Sequence, residues 1–346
     1  MIPPWRPEHV GGLPLPNAVL LAPLAGVTIP PLRLLFSRLG AGAVHTEMVS
    51  CAGLVRENRK TKGMLAVLPG EAPVILQLFA GDSDTLLSGG ELALKEAPFS
   101  GLGINMACPM PKVLKKGAGA RLLEKPGTAF LMVRRLKETG LPVWPKIRKC
   151  SPGHPLATED FCEGLLDAGA DLVCIHGRTP QQRYSGESDR ASILAAAKRF
   201  PGKICASGDV FSPESAAAYI RGGCAAVVAA RGILGNAFLV PEILSLLGYP
   251  VDERFLAPSG EVRKGLLVSF GDSVKEMYGS RTAVFFARRL LSGFFRGVHG
   301  IGRLRREAAA ASSWEALRSI VEGWEECLPA PGEFVQPAEC SENLKI

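Results

Sequence analysis

Eight short apolar runs, rich in β-branched residues, alternate along the N-terminal part of this chain with segments long enough for one helix each. Most of the runs are continuously apolar, which predicts strands that are buried on both faces. The predicted strands are residues 19–23, 43–49, 73–79, 101–106, 143–147, 171–176, 203–207 and 225–230. Strand–helix alternation repeated about eight times predicts a parallel sheet closed into a (β/α)8 TIM barrel, of the α/β class. The alternative is an open doubly wound sheet, which would normally carry a GxGxxG fingerprint after its first strand, where this chain reads Ala-Pro-Leu-Ala-Gly.

The pattern changes after residue 247. The helices predicted between the strands are residues 31–39, 84–95, 126–139, 158–168, 190–200 and 213–221. A polar linker with several Pro and Gly follows at 248–260, and amphipathic helices are predicted at 261–277, 281–296 and 313–326. We therefore expect a barrel domain at 1–247, a smaller all-α helical-bundle domain at 261–331 and a weakly structured tail at 332–346.

The composition excludes several classes of protein. No apolar run approaches the roughly 18 residues of a membrane-spanning helix, and the start, Met-Ile-Pro-Pro-Trp-Arg-Pro, lacks the basic-then-apolar layout of a signal peptide. Nine cysteines without a CxxC pair argue against a disulfide framework and against a zinc or iron–sulfur site. We expect a cytoplasmic monomer with no bound metal and no membrane segment.

The net charge of +7 comes from one segment. Between Arg281 and Arg306 there are seven arginines and no Asp or Glu, so the charges of the remaining residues sum to about zero. Such a cluster is typical of a surface that binds polyanions. The alternative is a solvated helix face.

Cys108 lies where a predicted strand ends. The apolar run 101–106 leads into Asn-Met-Ala-Cys-Pro-Met-Pro-Lys at 105–112, and proline cannot donate to a sheet, so Pro109 and Pro111 end the strand. The cationic residues that follow before the first acidic one are Lys112, Lys115, Lys116 and Arg121. The segment predicts a thiol at a strand tip beside a cationic loop, and a buried structural cysteine is the alternative. The lysines are also expected to lower the pKa of this thiol.

Polar residues recur at the ends of the predicted strands, where a TIM barrel carries its active site. These strand-end residues include Glu47, Gln77, Asn105, Lys146, Arg148, His176, Arg178, Ser207, Asp209 and Arg231. Three have a plain structural interpretation: Gln77 as a strand cap, Lys146 as a partner of Glu47, and His176 as a core histidine. Their convergence on one face still favours a binding site, because burying unpaired polar groups is costly.

The last two strand ends indicate what the site binds. Gly208 and Arg231 follow strands seven and eight, where TIM barrels commonly hold a phosphate. A lysine and an amide at other strand ends suit a planar phosphorylated cofactor such as flavin mononucleotide (FMN). Lys146 could stabilise negative charge on the reduced ring, and Gln77 could hydrogen-bond its polar edge.

Several segments resemble the tRNA-dihydrouridine synthases in order and spacing. They are 21–28 (LAPLAGVT), 105–113 (NMACPMPKV), 117–120 (GAGA), 146–148 (KIR), 176–179 (HGRT), 184–186 (YSG), 207–209 (SGD) and 231–235 (RGILG). The resemblance runs from about residue 12 to residue 306. It implies a barrel that binds FMN and a helical domain that binds tRNA.

The resemblance also implies roles for individual residues. Cys108 matches the proton donor in the reduction of the C5=C6 bond of uridine, with NADPH as the reductant and NADH left open. The matching cofactor contacts are Pro23, Leu24, Ala25, Gln77, Lys146, His176, Ser207, Gly208, Asp209, Ala230 and Arg231. The expected RNA contacts are Lys112, Lys115, Lys116, Arg178, Arg288, Arg289, Arg296 and Arg303. Which uridine is modified, and whether it lies in tRNA or ribosomal RNA, stays open.

Four residues depart from the pattern of that family. Leu24 replaces a methionine, a change that conserves volume. Ser207 replaces an asparagine and Ala230 a glycine, both on the phosphate side of the site. Ala107 replaces the glycine before Cys108, and alanine is strained there if the backbone needs a positive φ. These departures support one alternative, a non-catalytic RNA-binding paralogue. A second alternative in the same fold is a small-molecule flavin oxidoreductase of the dihydroorotate dehydrogenase type, which would not need the arginine-rich segment.

Overall fold

The computed structural model describes residues 9–325, which form two compact units that divide after Ala230. The first unit is built on one sheet in which all strands pair in parallel. Its strands are β1 (Val19–Leu21), β2 (Ala43–His45), β3 (Val49–Ser50), β4 (Val74–Phe79), β5 (Gly101–Met106), β6 (Val143–Arg148), β7 (Val173–His176), β8 (Ile204–Ser207) and β9 (Ala226–Ala229). The predicted functional division at residues 247 and 261 stays a prediction, and the predicted tail lies outside the described residues.

The sheet closes into a barrel. β1 pairs with β2 on one side and with β9 on the other, with Leu20 opposite Ala43 and Val19 opposite Val227. β2 pairs with β4, and each later strand pairs with the next along the chain as far as β9. β3 is a two-residue strand that pairs with the end of β4. The predicted (β/α)8 TIM barrel is confirmed.

Helices surround the barrel, and the strands are buried on both faces as the apolar runs predict. The helices of this unit are α1 (Pro30–Arg38), α2 (Cys51–Val55), α3 (Arg59–Lys62), α4 (Ser83–Glu96), α5 (Pro111–Leu114), α6 (Pro126–Lys137), α7 (Thr158–Asp167), α8 (Arg190–Arg199) and α9 (Pro213–Arg221), with 3₁₀ helices at Gly63–Leu65 and Gly119–Glu124. The six helices predicted between the strands are all present. The short helices α2, α3 and α5 were not predicted.

The second unit is helical. Its helices are α10 (Gly232–Gly235), α11 (Leu239–Leu246), α12 (Gly260–Tyr278), α13 (Ser280–Phe294), α14 (Ile301–Ala310) and α15 (Trp314–Glu322), with a 3₁₀ helix at Glu253–Phe255. Trp314 is buried against α12, where a Cβ at Gly271 would lie 2.0 Å from its ring. The Trp314 indole donates to Asp272 Oδ1 at 2.7 Å, so this pair fixes α15 on α12.

The helix α14 of the second unit was not predicted. α13 ends at Phe294 and α14 begins at Ile301, so residues 295–300 separate the two helices. Gly300 is the residue before the helix and has a φ of 82°, while Gly302 lies in the first turn, where a glycine costs little. Buried Leu304 and Ala308 supply the packing face. In residues 9–325, no helix is both long and apolar enough to cross a membrane.

Candidate active site

The carboxyl ends of the parallel strands meet at one end of the barrel, which we call the barrel mouth. Asn105, near the end of β5, donates from Nδ2 to Gln77 Oε1 of β4 at 2.9 Å. Gln77 is 1% exposed, and no hydrogen bond within the described residues uses its Nε2 group. The Gln77 amide therefore has a donor available for a ligand, while its oxygen is held by Asn105.

Lys146 of β6 reaches across the barrel interior. Its Nζ donates to Ser207 Oγ at the end of β8, at 2.9 Å, and lies 3.7 Å from Cys174 Sγ of β7. Glu47 accepts instead from the Gly26 backbone N–H in the loop after β1. The interpretation of Lys146 as a partner of Glu47 is therefore wrong, and the ammonium contacts Ser207 and Cys174.

Cys174 and Cys205 continue this contact inside the barrel. Cys174 lies opposite Lys146 on β7, and Cys205 lies opposite Cys174 on β8. A hydrogen bond from Cys205 lowers the pKa of Cys174 to about 7, against the opposing effect of burial, and the Lys146 ammonium contributes in the same direction. Burial raises the pKa of Cys205. This thiol pair beside Lys146 was not predicted, although the two cysteines lie two residues before His176 and Ser207.

The turn after β8 has an unusual backbone. Gly208 has a φ of 125°, and a Cβ at this residue would lie 2.2 Å from Ser188 Oγ and 3.3 Å from His176 Cδ2. Only glycine fits there. Asp209 has a φ of 51°, which is rare for a residue with a side chain, and its Oδ2 accepts from the Ser188 N–H at 2.8 Å. His176 therefore borders a close backbone turn at the barrel mouth.

Arg178 is used within the barrel unit. Its side chain is 4% exposed, and Nη1 donates to Asp209 Oδ1 at 2.7 Å. Nε donates to the Ser185 carbonyl at 3.2 Å, and Nη2 donates to the Gly186 carbonyl. The prediction that Arg178 contacts RNA stays a prediction, but these bonds hold the loop after β7 and leave the guanidinium little accessible surface.

Cys108 lies two residues beyond the end of β5, as the prolines predict. Asn105 Oδ1 accepts from the Cys108 N–H at 2.9 Å and from the Ala107 N–H at 3.2 Å, so the residue that holds Gln77 also shapes the Cys108 turn. Cys108 is half-buried. Burial raises its pKa, while a backbone hydrogen bond at Met110 and the charge of Arg148 act in the opposite direction. The expectation that the neighbouring lysines lower this pKa is wrong, because the pKa is raised overall and the charge that opposes burial is that of Arg148.

Arg148, the last residue of β6, links two loops of the mouth. Nε donates to the Ala107 carbonyl at 2.8 Å, and Nη1 donates to the carbonyls of Thr179 at 3.0 Å and Arg183 at 2.7 Å. The side chain also lies 5.8 Å from the Tyr184 ring centre. Sequence reasoning assigned no role to Arg148, although its position two residues after Lys146 predicts that both side chains point to the same side of β6.

Two of the departures from the family pattern are accommodated. Within residues 9–325, the non-glycine residues with positive φ are Glu57, Arg183 and Asp209, so neither Ala107 nor Ala230 is strained. The glycine that the Cys108 turn does need is Gly119. It has a φ of 62°, and a Cβ there would lie 2.5 Å from the Cys108 carbonyl oxygen.

The predicted cationic surfaces are present in both units. Lys112 lies on α5, and Lys115 and Lys116 follow it, all three exposed. In the second unit, Arg296 is exposed just beyond α13, and Arg303 pairs with Glu307 at 3.2 Å. Burial lowers the pKa of Arg289.

Arg288 has a structural role that the sequence did not indicate. Its guanidinium donates to the carbonyls of Ala308 and Ala309 at 2.8 Å and of Ala311 at 2.5 Å, at the C-terminus of α14. Cations at a helix C-terminus satisfy carbonyls that have no partner in the helix. Its predicted contact with RNA stays a prediction, as does the phosphate contact of Arg231, which precedes α10.

The fold and the strand-end side chains define a TIM-barrel protein with a polar site at the barrel mouth. The chain matches the family described as dihydrouridine synthase over residues 20–325 and belongs to that family. It is 30% identical over 320 residues to a probable tRNA-dihydrouridine synthase 1 from a Synechocystis strain, covering 92% of this chain and 89% of the relative. It is also 30% identical over 301 residues to tRNA-dihydrouridine synthase B from Pseudomonas aeruginosa, covering 86% of this chain and 90% of the relative.

The fold is also similar to a solved structure. The old yellow enzyme from Trypanosoma cruzi aligns with a TM-score of 0.51 at 14% identity, covering 75% of this chain and 94% of that one. At this identity the likeness concerns the barrel fold alone.

Proposed function

We propose that this protein is a tRNA-dihydrouridine synthase that reduces the C5=C6 bond of uridine in tRNA. One observation carries the proposal: a half-buried thiol, Cys108, stands on a turn that Asn105 shapes, and the same Asn105 is bonded to Gln77 in the barrel mouth. A proton donor is thus fixed beside a site with groups suited to a flavin. Family membership and the names of the relatives support the same activity.

The residues at the barrel mouth fit FMN. Gln77 Nε2 offers a donor that no described residue occupies, and Lys146 supplies a positive charge beside the Ser207 hydroxyl and Cys174. Gly208 permits the close turn beside His176. We propose that these residues, with Pro23, Leu24, Ala25, Ser207, Asp209 and Ala230, hold the cofactor. The contact of Arg231 with its phosphate stays a prediction.

The reaction needs a hydride and a proton. When bound and reduced by NADPH, FMN supplies the hydride for C6 of uracil. We propose that the Cys108 thiol gives its proton to C5. Because burial raises the pKa of Cys108 above its ordinary value of 9.0, the thiol is protonated at neutral pH, as a proton donor must be. Arg148 holds the Ala107 carbonyl beside it and so keeps the thiol in position.

The RNA is proposed to bind the exposed cations of each unit. These are Lys112, Lys115 and Lys116 on and after α5, and the arginines of the segment 281–306. Because the contacts would be to phosphates, we expect the affinity for tRNA to fall steeply with salt. The free thiols of all seven cysteines within the described residues agree with a protein that works in the reducing cytoplasm.

The test compares Cys108→Ala with the wild type on transcribed tRNA, with FMN and NADPH supplied. The wild type should form dihydrouridine, measured by mass spectrometry of nucleosides. Cys108→Ala should lose about a hundred- to ten-thousand-fold in turnover, the usual contribution of a general acid. It should keep its flavin and its reduction by NADPH, because neither uses the thiol.

Cys150→Ala is the matched control, because it removes a thiol on the loop after β6 that has no proposed role. Its turnover should match that of the wild type. A wild type that holds flavin but reduces no RNA would contradict the proposal, and so would a Cys108→Ala variant with full turnover.

A further inference from the structure

Phe285 on α13 is the most exposed large apolar side chain of the described residues, at 58%. The other apolar side chains of α13 are buried, including those of Val284 and Phe286, the residues before and after Phe285 in the chain. Phe285 therefore lies on the outer face of the helix and takes no part in the core. Its ring meets that of Phe286 edge to face, with centroids 5.4 Å apart at 89°, which gives the exposed ring a supported orientation.

The exposure of Phe285 alone would be weak evidence for a binding site, because single apolar side chains are common on protein surfaces. The charges around Phe285 are stronger evidence for a binding site than its exposure is. Arg281 is four residues before it and Arg288 and Arg289 are three and four residues after it, positions that share a face of a helix. The chain has no Asp or Glu between residues 281 and 306. An aromatic ring is thus placed among cations on a helix that carries no acidic residue.

This combination is what proteins use for single-stranded nucleic acid, in which cations hold the backbone and aromatic rings stack on bases. We propose that Phe285 stacks on an unpaired base of the bound RNA, while Arg281 contacts the neighbouring phosphates. A base in a helical stem has no free face, so the base comes from a loop or a bulge. The inference rests on the proposed function and adds a second point of base contact, in the helical unit, to the site at the barrel mouth.

The experiment measures tRNA binding by three variants, Phe285→Ala, Phe285→Leu and Phe285→Trp, over a series of salt concentrations. Loss of one stacked base should weaken binding roughly five- to hundred-fold in the alanine and leucine variants, and tryptophan should retain it. Because stacking releases no counterions, the slope of log affinity against log salt should stay that of the wild type. Leu246→Ala is the control: it removes a side chain that is 39% exposed on α11, with no arginine within four residues.

A second surface variant separates this inference from the proposed function. Arg281→Gln, Arg296→Gln and Arg305→Gln together remove three exposed charges and should weaken binding and reduce the salt slope. If this variant binds more weakly but Phe285→Ala binds as the wild type does, the stacking inference is wrong, and the proposal that the arginines of segment 281–306 bind RNA is supported. If neither binds more weakly, both are wrong. Wild-type affinity in Phe285→Leu together with weak binding in Phe285→Ala would show an apolar contact and overturn the stacking.

Discussion

At the scale of single residues, the contact between Lys146 and Cys174 gives the barrel interior a titratable pair. The Nζ and Sγ atoms are 3.7 Å apart, and the pKa of Cys174 is lowered to about 7 by the Cys205 hydrogen bond and by Lys146. Cys205 keeps its proton because burial raises its pKa. Above about pH 7 the barrel therefore contains a thiolate next to an ammonium, and the charge of Lys146 is partly offset.

This pair predicts a pH dependence of stability. In the unfolded chain the Cys174 thiol has its ordinary pKa of 9.0. Between about pH 7 and pH 9 Cys174 therefore binds more protons in the unfolded state than in the folded state, so its contribution to the free energy of unfolding rises with pH. Below about pH 7 both states are protonated and this contribution is lost. Measured by urea unfolding under reducing conditions, the free energy of unfolding of the wild type relative to Cys174→Ala should therefore rise between about pH 7 and pH 9, and a difference that does not change with pH would contradict the prediction.

Residue roles that depend on a distant partner could not be predicted. The positions of Cys108, Gln77 and Lys146 could be predicted because each lies in the C-terminal half of a strand or just after it, which is a local property, and their roles stay predictions. Arg178 and Arg148 lie at strand ends too, but what they do depends on Asp209, 31 residues away, and on Ala107, 41 residues away. No spacing in the sequence indicates those bonds.

At the scale of elements, Arg288 joins α13 to the end of α14. Arg288→Ala removes hydrogen bonds to three carbonyls, and we expect it to destabilise the protein by about 1.5–3 kcal/mol, the usual contribution of hydrogen bonds to a charged group. Arg281→Ala is the matched control, since Arg281 is exposed on the same helix, and it should change stability by less than about 0.5 kcal/mol. Urea unfolding measures both. Equal stabilities would show that the bonds of Arg288 contribute nothing.

The turn that holds Cys108 gives a second prediction at this scale. An alanine at Gly119 would have a φ of 62° and a Cβ 2.5 Å from the Cys108 carbonyl oxygen, so the turn must shift. A displacement of about 1 Å can cost up to a hundredfold in rate, and we expect Gly119→Ala to lose turnover while it keeps its flavin. Gly127→Ala is the control, because no atom lies within 4 Å of the added Cβ. Full turnover in Gly119→Ala would mean that the Cys108 turn tolerates the shift.

Most elements could be predicted, and the exceptions have physical causes. β5 and α9 have the predicted bounds because Gly and Pro mark their ends. The predicted strand 43–49 is interrupted after His45, since Thr46 Oγ1 accepts from the Gln77 N–H at 2.9 Å and Glu47 binds Gly26. These polar contacts draw the chain out of the sheet. α14 was not predicted because the glycines after α13 indicate the end of a helix, whereas Gly300 also directly precedes the next one.

At the scale of the whole molecule, barrel closure follows from the pattern of the sequence, whereas the identity of the RNA target does not. Strands buried on both faces need partners on both edges, and pairing β1 with β9 leaves no open edge in the barrel. The charge of the molecule is concentrated in one segment of the helical unit, which favours a polyanion without naming one. Phosphates carry no sequence information, so the uridine has to be found by experiment.

The last prediction is therefore made in the cell. Dihydrouridine mapped across all RNA should disappear from at least one position when the gene is deleted. The wild-type gene should restore that position, because it supplies both the cofactor site and the thiol, and the Cys108→Ala gene should not. Cys150→Ala should restore it as the wild type does, which shows that the loss is specific to the thiol at the barrel mouth. A loss confined to ribosomal RNA would show that the substrate is ribosomal RNA and not tRNA, while the reaction would be the one proposed. If no position disappears in the deletion strain, and Cys108→Ala matches the wild type on every RNA tested in vitro, the protein is not a dihydrouridine synthase.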